Sequence, residues 1–205
     1  MTKTELLLAT TNQGKIKEIK DCLADLPLEI VSLRELCPSS LFIEKGKTFL
    51  ENARGKSLFY SQQHQLLTLA EDSGLEIEYL KGAPGVFSSR FSGPQATDEK
   101  NIEKALKLLK GVPLSQRKAQ FVSCLVLADR EKTIKVITEN VKGLIAMEKK
   151  GNYGFGYDPI FFYPPLKKTF AELLPAEKNR VSHRGRALKK LKTFLFLYLE
   201  PKKKT

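Results

Sequence analysis

The spacing of apolar positions predicts an alternation of strands and helices over the N-terminal third of the chain. Short apolar runs predict buried strands at residues 5–9, 28–32 and 66–70. Between these runs, apolar side chains recur at helical spacing and predict two helices, whose inward positions are Ile16, Ile19 and Leu23, then Phe49, Ala53, Ser57 and Tyr60. Thr11 or Asn12 is placed to cap the first helix, because either side chain can accept a hydrogen bond from a free N–H group.

The pattern changes further along the chain, where strands follow one another directly. Residues 97–111 predict a helix that Thr97 caps and Gly111 ends. Residues 120–128 and 133–143 predict two long, neighbouring antiparallel strands. A last helix follows Ser182, with its inward positions at Leu188, Leu191, Leu195 and Leu199. We therefore expect a mixed α/β sheet with flanking helices in a single domain, residues 1–205, whose last few residues form a basic tail.

Composition excludes two classes of protein and indicates the compartment. Apolar runs stay far below the roughly 18 residues that span a bilayer, and the N-terminus lacks the apolar core of a signal peptide, so we expect a cytoplasmic protein without a membrane partner. The cysteines Cys22, Cys37 and Cys124 show no C-x-x-C spacing, and His64 and His183 are the only histidines. A zinc cluster is therefore not indicated, and reduced thiols are expected.

Charge points to a partner that carries phosphate. The net charge is +12, and the sequence from Lys178 onward contains ten Lys and Arg residues but only one acidic residue, Glu200. Such a balance favours a nucleotide, a nucleic acid or a membrane surface. A basic nucleic-acid-binding protein is therefore kept as a second hypothesis.

The stretch "ATTNQGK", residues 9–15, leads from a predicted strand into a predicted helix. Free N–H groups, the helix dipole and Lys15 converge there, which is typical of an anion site. The stretch lacks the G-x-x-x-x-G-K-[ST] pattern of a P-loop, and an ordinary capped helix with a solvated lysine is the alternative.

Adjacent acids, Glu71 and Asp72, follow the predicted strand that ends at Ala70. Open α/β sheets place ligands beyond the carboxyl ends of their strands, and carboxylates suit Mg²⁺ together with substrate phosphates. Asp72 can also accept a proton from an attacking water. Gly74 would let the chain turn sharply, and a β-turn with solvated acids is the alternative. Further carboxylate candidates flank the start of the second helix, at Glu44 and Glu51, and a surface or capping role is the alternative for each.

Later stretches add aromatic and basic groups. In "GNYGFGYDPIF", residues 151–161, glycines alternate with aromatic residues, which is typical of a backbone that approaches a ligand beside a stacking ring. We expect Pro159 to hold Asp158 extended. For the stretch as a whole, an aromatic-rich structural turn is the alternative to a ligand-binding segment. In "AEKNRVSHRGRAL", residues 176–188, Lys178, His183 and Arg184 precede or begin a helix, which suits an anionic or carbonyl-bearing ligand. A structural histidine is the alternative for His183. Together these stretches predict a nucleoside triphosphate site.

These residues also resemble a family, the Ham1-like inosine triphosphate pyrophosphatases of the bacterial RdgB type. The blocks that carry the resemblance follow the family's order across nearly the whole chain: "TTNQGK" at 10–15, "TFLENARGKS" at 48–57, "AEDSGLEI" at 70–77 with "GAPGVFSSRFSG" at 82–93, "GFGYDPIF" at 154–161 and "AEKNRVSHRGRAL" at 176–188. The resemblance implies an elongated mixed sheet with a nucleotide cleft between two lobes, and a homodimer without a specific nucleic-acid partner. It implies Mg²⁺-dependent hydrolysis of ITP, dITP and XTP to the monophosphate and pyrophosphate, which clears deaminated purines.

The resemblance also assigns roles to residues. The triphosphate would bind to Thr10, Thr11, Asn12, Gln13, Gly14 and Lys15, with help from Lys56. Asp72 would be the proton acceptor and, with Glu44, a metal ligand. The substrate would also contact Ser73, Phe155, Gly156, Tyr157 and Asp158, with Phe155 stacked on the purine. The base would be read by Lys178, His183 and Arg184.

One departure from the family lies at Glu71, where the family usually has a second aspartate. The longer side chain changes the metal geometry that this position can offer. A Maf-like pyrophosphatase of pyrimidine or modified nucleotides is the alternative within the enzymes.

Overall fold

A computed structural model of the chain describes residues 3–36 and 40–200, so Cys37 and the basic tail from Pro201 lie outside the described residues. The helices are α1 (Gln13–Leu23), α2 (Leu33–Leu36), α3 (Phe49–His64), α4 (Asp98–Leu108), α5 (Pro175–Val181) and α6 (His183–Leu199). The strands are β1 (Thr4–Leu8), β2 (Leu28–Ser32), β3 (Leu67–Ile77), β4 (Lys118–Asp129), β5 (Lys132–Ile145), β6 (Phe161–Tyr163) and β7 (Lys168–Thr169).

Within the described residues the strands form one seven-stranded mixed sheet in the order β2-β1-β3-β4-β5-β6-β7. β1 pairs in parallel with β2 and with β3, and β6 pairs antiparallel with β5 and with β7. β4 and β5 are neighbours in the sheet and only residues 130–131 connect them, which requires an antiparallel hairpin. The predicted mixed α/β sheet with flanking helices is thus confirmed.

One prediction about β3 is wrong, and it concerns the candidate site. The strand does not stop at Ala70 but continues through Glu71, Asp72 and Gly74 to Ile77. The sequence Asp-Ser-Gly has the composition of a turn, yet pairing with neighbouring strands overrides this local preference. Both acids are buried, with Glu71 2% and Asp72 7% exposed. The alternative of a turn with solvated acids is therefore also wrong.

The chain folds into two compact units. The first comprises the residues up to Asp72, Cys124–Thr138 and the residues from Gly185. Its β1 strand is buried on both faces: Leu6 and Leu8 pack in a cluster with residues of α1 and α6, whereas Leu7 and Ala9 pack in a cluster with Tyr60 of α3. A strand buried on both faces reads as a continuous apolar run, as "LLLA" does here.

The second unit comprises Ser73–Ser123 and Glu139–Arg184. Its core is aromatic, with the Phe121 and Phe161 rings 4.6 Å apart and the Phe161 and Phe170 rings 4.8 Å apart. The buried Arg117 guanidinium donates to three backbone carbonyls, those of Leu109, Val112 and Ala146. These bonds tie the chain segments on either side of β4 and β5 into this unit.

Helix starts follow the capping prediction. Asn12, rather than Thr11, caps α1, and Thr97 caps α4 by accepting from the Lys100 N–H at 3.2 Å. Thr48 caps α3 in the same way. Over residues 3–36 and 40–200, no helix is long and apolar enough to cross a membrane.

Candidate active site

The first group of predicted site residues lies at the start of α1, in the first unit. The Asn12 Oδ1 atom accepts from the Lys15 N–H at 3.0 Å, and the Asn12 N–H donates to Thr10 Oγ1 at 3.2 Å. Thr11, Asn12 and Gln13 are exposed, and Gly14 follows in the first turn of this eleven-residue helix. The positive end of the helix dipole is therefore accessible to an anion.

Asp72 is one of two adjacent buried carboxylates of the first unit, beside Glu71. Burial raises the pKa of the Asp72 carboxyl above its ordinary value, and the charge of Glu44 raises this pKa further. A hydrogen bond from Asn52 and the positive charges of Lys15 and Lys56 act in the opposite direction. The electrostatic neighbours of Asp72 thus include Lys15, Glu44 and Lys56, which the family resemblance assigns to the same site. A buried carboxylate with a raised pKa holds a proton more readily and is a stronger base when ionised.

Glu44 and Lys56 form a partly buried ion pair in the first unit. The Lys56 Nζ and Glu44 Oε1 atoms are 2.5 Å apart, with the side chains 13% and 26% exposed. The loop that carries Glu44 is anchored by Phe42, whose N–H donates to the Tyr60 hydroxyl at 3.1 Å. The Phe42 ring packs against Gly55 of α3, where a Cβ atom would lie 2.6 Å from the ring. A glycine at position 55 therefore lets the loop approach the helix.

The donor set of the first unit suits a hard cation. Asp72 and Glu44 offer carboxylate oxygens, and the charge of Glu44 contributes to the raised pKa of Asp72, so a cation bound by both would offset that repulsion. Among residues 3–36 and 40–200 there is no group of three or more His, Cys, Asp or Glu side chains suited to a metal. One or two carboxylates are enough for a cation that also takes substrate phosphate oxygens and water.

Two of the predicted base-binding residues, Lys178 and Arg184, lie in the second unit around the half-buried ring of Phe155. The Lys178 Nζ atom is 4.8 Å and the Arg184 Cζ atom 5.2 Å from the ring centroid. Lys178 also pairs with Asp158, its Nζ atom 2.6 Å from Asp158 Oδ2, and both side chains are almost fully buried. The Arg184 Nη2 atom donates to Ser73 Oγ at 3.2 Å. The structure therefore brings Ser73, Phe155, Asp158, Lys178 and Arg184 together.

The backbone around Phe155 is fixed by Asp158. The Asp158 Oδ2 atom accepts from the Phe155 N–H at 3.0 Å, and a Cβ atom on Gly154 would collide with this carboxylate. Gly154 has a φ of +78°, which also favours glycine. The prediction that Pro159 holds Asp158 extended is wrong, because Asp158–Ile160 forms a 3₁₀ turn. This turn brings the Asp158 carboxylate back to the Phe155 N–H.

The two residues between Phe155 and Asp158 are held by contacts within the second unit. The Gly156 N–H donates to Asp98 Oδ2 at 2.7 Å. Tyr157 belongs to the core, where its hydroxyl donates to the Ser88 carbonyl at 2.8 Å and burial raises the pKa of the phenol. A substrate contact by Tyr157 would therefore come from its backbone.

His183 is the first residue of α6 and is 4% exposed. Its imidazole stacks on the Phe121 ring, with centroids 4.7 Å apart and an interplanar angle of 11°. This aromatic contact fixes the plane of the imidazole ring. Phe121 is thus a supporting residue that the sequence analysis missed, and nothing in the spacing along β4 distinguishes it from other core residues.

Asn52 is a second residue that the sequence analysis missed. Its amide, 1% exposed, donates from Nδ2 to Asp72 Oδ2 at 2.9 Å. The available signal is a polar residue on the inward face of α3, between Phe49 and Ala53, where the helical pattern predicts an apolar one. A buried polar side chain needs a polar partner, and here that partner is the Asp72 carboxylate.

The chain is similar to other known proteins over nearly its whole length. A family model described as the Ham1 family matches residues 6–194. A dITP/XTP pyrophosphatase of Clostridium perfringens is 46% identical over 195 residues, which cover 92% of this chain and 95% of that protein. The dITP/XTP pyrophosphatase of Bacillus subtilis is 44% identical over 191 residues, covering 93% and 96%. The structure of a HAM1 protein from Coxiella burnetii superposes with a TM-score of 0.87 at 41% identity and covers 95% of this chain and 99% of that one.

Proposed function

Since this chain belongs to the Ham1 family, we propose that it is a pyrophosphatase of non-standard purine nucleoside triphosphates. It would hydrolyse ITP, dITP and XTP to the nucleoside monophosphate and pyrophosphate. The observation that carries the proposal is the buried carboxylate of Asp72, which lies in the electrostatic field of Lys15, Lys56 and Glu44. The dITP/XTP pyrophosphatase names of its relatives support the same substrate class.

In the proposed reaction, Asp72 accepts a proton from the attacking water. The water oxygen forms a bond to the α-phosphorus, and the bond from the α-phosphorus to the bridging oxygen breaks, so that pyrophosphate leaves. The pKa of Asp72 is raised by burial, which makes its carboxylate a better proton acceptor than a solvated one. We expect Asp72→Asn to lower kcat by about 10²–10⁴-fold. Near-normal turnover of ITP by a folded Asp72→Asn variant would contradict this role.

The triphosphate would be held by the start of α1 and by two lysines. Thr10, Thr11, Asn12, Gln13 and Gly14 supply backbone N–H groups and small polar side chains at the positive end of the dipole. Lys15 and Lys56 add charge that offsets the phosphates. Because Lys56 already pairs with Glu44, Lys56 would also hold the loop that carries Glu44 beside the phosphates.

We propose Mg²⁺ as the cation, with Asp72 and Glu44 as its protein ligands. When bound, the metal would neutralise charge on the phosphate oxygens and on the leaving pyrophosphate. We expect pyrophosphate release to stop in excess EDTA and to return when Mg²⁺ is added back. Full activity in EDTA would remove the metal role from both carboxylates.

The base would be selected in the second unit. Phe155 offers a half-buried ring for stacking, and Lys178, His183 and Arg184 offer donors for a purine that carries a 6-oxygen. Adenine places an amino group there and would leave buried donors without acceptors, which is how a site rejects a close analogue. Rejection of guanine would then depend on its 2-amino group. Ser73, Gly156, Tyr157 and Asp158 would shape the remaining contacts.

A substrate panel tests this function. Pyrophosphate release is measured with ITP, dITP, XTP, dGTP, UTP and dTTP at matched concentrations. We expect the three non-standard purine nucleotides to be hydrolysed fastest. Faster hydrolysis of UTP or dTTP would instead support a Maf-like enzyme. Absence of hydrolysis together with salt-sensitive DNA or RNA binding would support a nucleic-acid-binding protein.

We also propose that the chain acts as a homodimer in the cytoplasm, where the nucleotide pool is found, and that both units belong to one family domain over residues 1–205. One family model spans residues 6–194 and includes parts of both units. Light scattering after size exclusion would give the mass, and a monomer at assay concentration would contradict the dimer. Cell fractionation would test the compartment.

A further inference from the structure

A single buried amide connects Asp72 to the loop that carries Glu44. Asn52 lies in the first turns of α3, and its side chain is 1% exposed. Its Oδ1 atom accepts from the Gly46 N–H at 2.8 Å, and its Nδ2 atom donates to Asp72 Oδ2 at 2.9 Å. All three residues belong to the first unit, so the connection lies within one compact body.

The direction of this amide follows from the chemistry of its neighbours. The Gly46 N–H can only donate, so the amide oxygen must face it. The amide nitrogen then faces Asp72, whose ionised carboxylate can only accept. Reversing the Asn52 amide would turn its Nδ2 donor toward the Gly46 N–H donor and its Oδ1 acceptor toward the Asp72 carboxylate. Neither hydrogen bond could then form. The two bonds therefore fix one orientation of the amide and, through it, the position of Asp72 Oδ2.

The loop backbone approaches Asn52 closely at Gly46. A Cβ atom on Gly46 would lie 2.6 Å from Asn52 Oδ1 and 2.8 Å from the Glu51 Cβ atom. Glycine at position 46 thus lets the loop backbone come close enough to bond with the amide. Glu44 is two residues before this contact and pairs with Lys56, so the same loop segment carries a second candidate site residue.

A second copy of this local arrangement lacks the carboxylate. Thr97 caps α4 as Thr48 caps α3, and Asn101 occupies the position of α4 that Asn52 occupies in α3. Asn101 is also buried, at 2% exposed. Its Oδ1 atom accepts from the Ser92 N–H at 2.8 Å, and its Nδ2 atom donates to the Ser89 carbonyl at 3.2 Å. Asn101 anchors the preceding loop through both ends of its amide, whereas Asn52 directs its donor to Asp72.

We propose that Asn52 is a positioning residue for Asp72: it holds the carboxylate in the orientation used for proton transfer and ties that orientation to the loop that carries Glu44. The proposal rests on the proposed function of Asp72 as the proton acceptor. Asn52 has no contact with substrate in this role and acts only through the carboxylate. The comparison with Asn101 separates this role from loop anchoring alone.

The test compares Asn52→Leu with the matched variant Asn101→Leu. Both changes remove a buried amide and a loop anchor, so both should lower the melting temperature. Only Asn52→Leu should lower kcat for ITP, by about 10–100-fold with KM within about threefold, because misplacing a reacting group mainly affects the transition state. Gly46→Ala displaces the same amide from its other end and should lower kcat in the same direction. Equal kcat values for the Asn52 and Asn101 variants would overturn the proposal.

A double variant distinguishes positioning from a general structural effect. In an Asp72→Asn background there is no carboxylate to position, so adding Asn52→Leu should leave kcat within about twofold. The same further loss as in the wild type would overturn the proposal.

A readout without turnover separates this proposal from the function on which it rests. In ¹⁵N NMR spectra, the Asn52 side-chain amide signals and the Gly46 N–H signal should shift in Asp72→Asn, while those of Asn101 should not. Unmoved Asn52 signals would contradict the connection itself. Absence of ITP hydrolysis by the wild type, with shifted signals, would refute the proposed function but leave the connection standing.

Discussion

The buried ion pair of the second unit provides a quantitative test of the structure. The Lys178 Nζ and Asp158 Oδ2 atoms are 2.6 Å apart, and the side chains are 4% and 3% exposed. Asp158→Ala removes the carboxylate and leaves the lysine charge in a buried position. It also removes the acceptor of the Phe155 N–H.

The magnitude follows from the burial of both partners. Removing one partner of a buried ion pair costs about 3–5 kcal/mol, because the remaining charge is no longer compensated. For a chain of this length, each kcal/mol lowers the melting temperature by about 2–4 °C. We therefore expect Asp158→Ala to melt about 6–20 °C below the wild type. Replacing both partners with apolar residues, as in Lys178→Met with Asp158→Leu, should recover much of this loss.

The assay is denaturant and thermal unfolding in the absence of nucleotide, followed by circular dichroism. The control is Asp25→Ala, which removes an exposed ion pair whose Lys192 Nζ and Asp25 Oδ1 atoms are 2.7 Å apart. Solvent screens that pair, so its removal should leave the midpoint close to that of the wild type. If Asp158→Ala shifted the midpoint no more than Asp25→Ala does, the energetic role assigned to burial would be refuted.

Three further predictions concern Asp72 of the first unit and the surroundings of Phe155 in the second. Burial raises the pKa of Asp72 above its ordinary value of 3.8, so its ionised form costs stability at neutral pH. Asp72→Asn should therefore melt higher than the wild type in EDTA at pH 7.5, with a difference that shrinks toward pH 4; a lower melting temperature at pH 7.5 would contradict the sign. Stacking contributes about 1–3 kcal/mol per base, so Phe155→Ala should raise KM for ITP about 5–150-fold, whereas Phe155→Tyr should stay near the wild type. Initial rates measured over a range of ITP concentrations give both KM values, and equal KM values for the two variants would contradict stacking. Gly154→Ala should melt well below Gly156→Ala, because both glycines have positive φ but only the Gly154 Cβ atom would meet Asp158; equal midpoints would argue against that contact.

Several features of this protein could be predicted from local sequence. The apolar run ahead of Ala9 predicted β1, because a strand buried on both faces carries apolar residues at successive positions. The helical spacing of Ile16, Ile19 and Leu23 predicted α1, because burial of one helix face imposes the helical period. The threonine and asparagine caps are also local, since a cap bonds to N–H groups only a few residues away. The residue types of the stretches 9–15, 151–161 and 176–188 and of the acids Glu71 and Asp72 likewise indicated a candidate site without knowledge of the fold.

The course of β3 could not be predicted locally. Glu71, Asp72 and Gly74 have the composition of a turn, but they are extended because they belong to a strand of the sheet. The same holds for Asp158, where the expected effect of Pro159 on its backbone is outweighed by a turn that lets the carboxylate bond with the Phe155 N–H and with Lys178.

Local sequence predicted the longer helices and strands, the caps of α1 and α4 and the residue types available for phosphate, metal and purine, because each depends on neighbours within a turn or a strand. Tertiary structure alone decided which of these groups meet. It placed Asn52 against Asp72, twenty residues apart, and His183 against Phe121. It also buried Asp72, and burial rather than residue type raises the pKa of its carboxyl. A contact between distant segments depends on how the whole chain packs, and no local pattern records it.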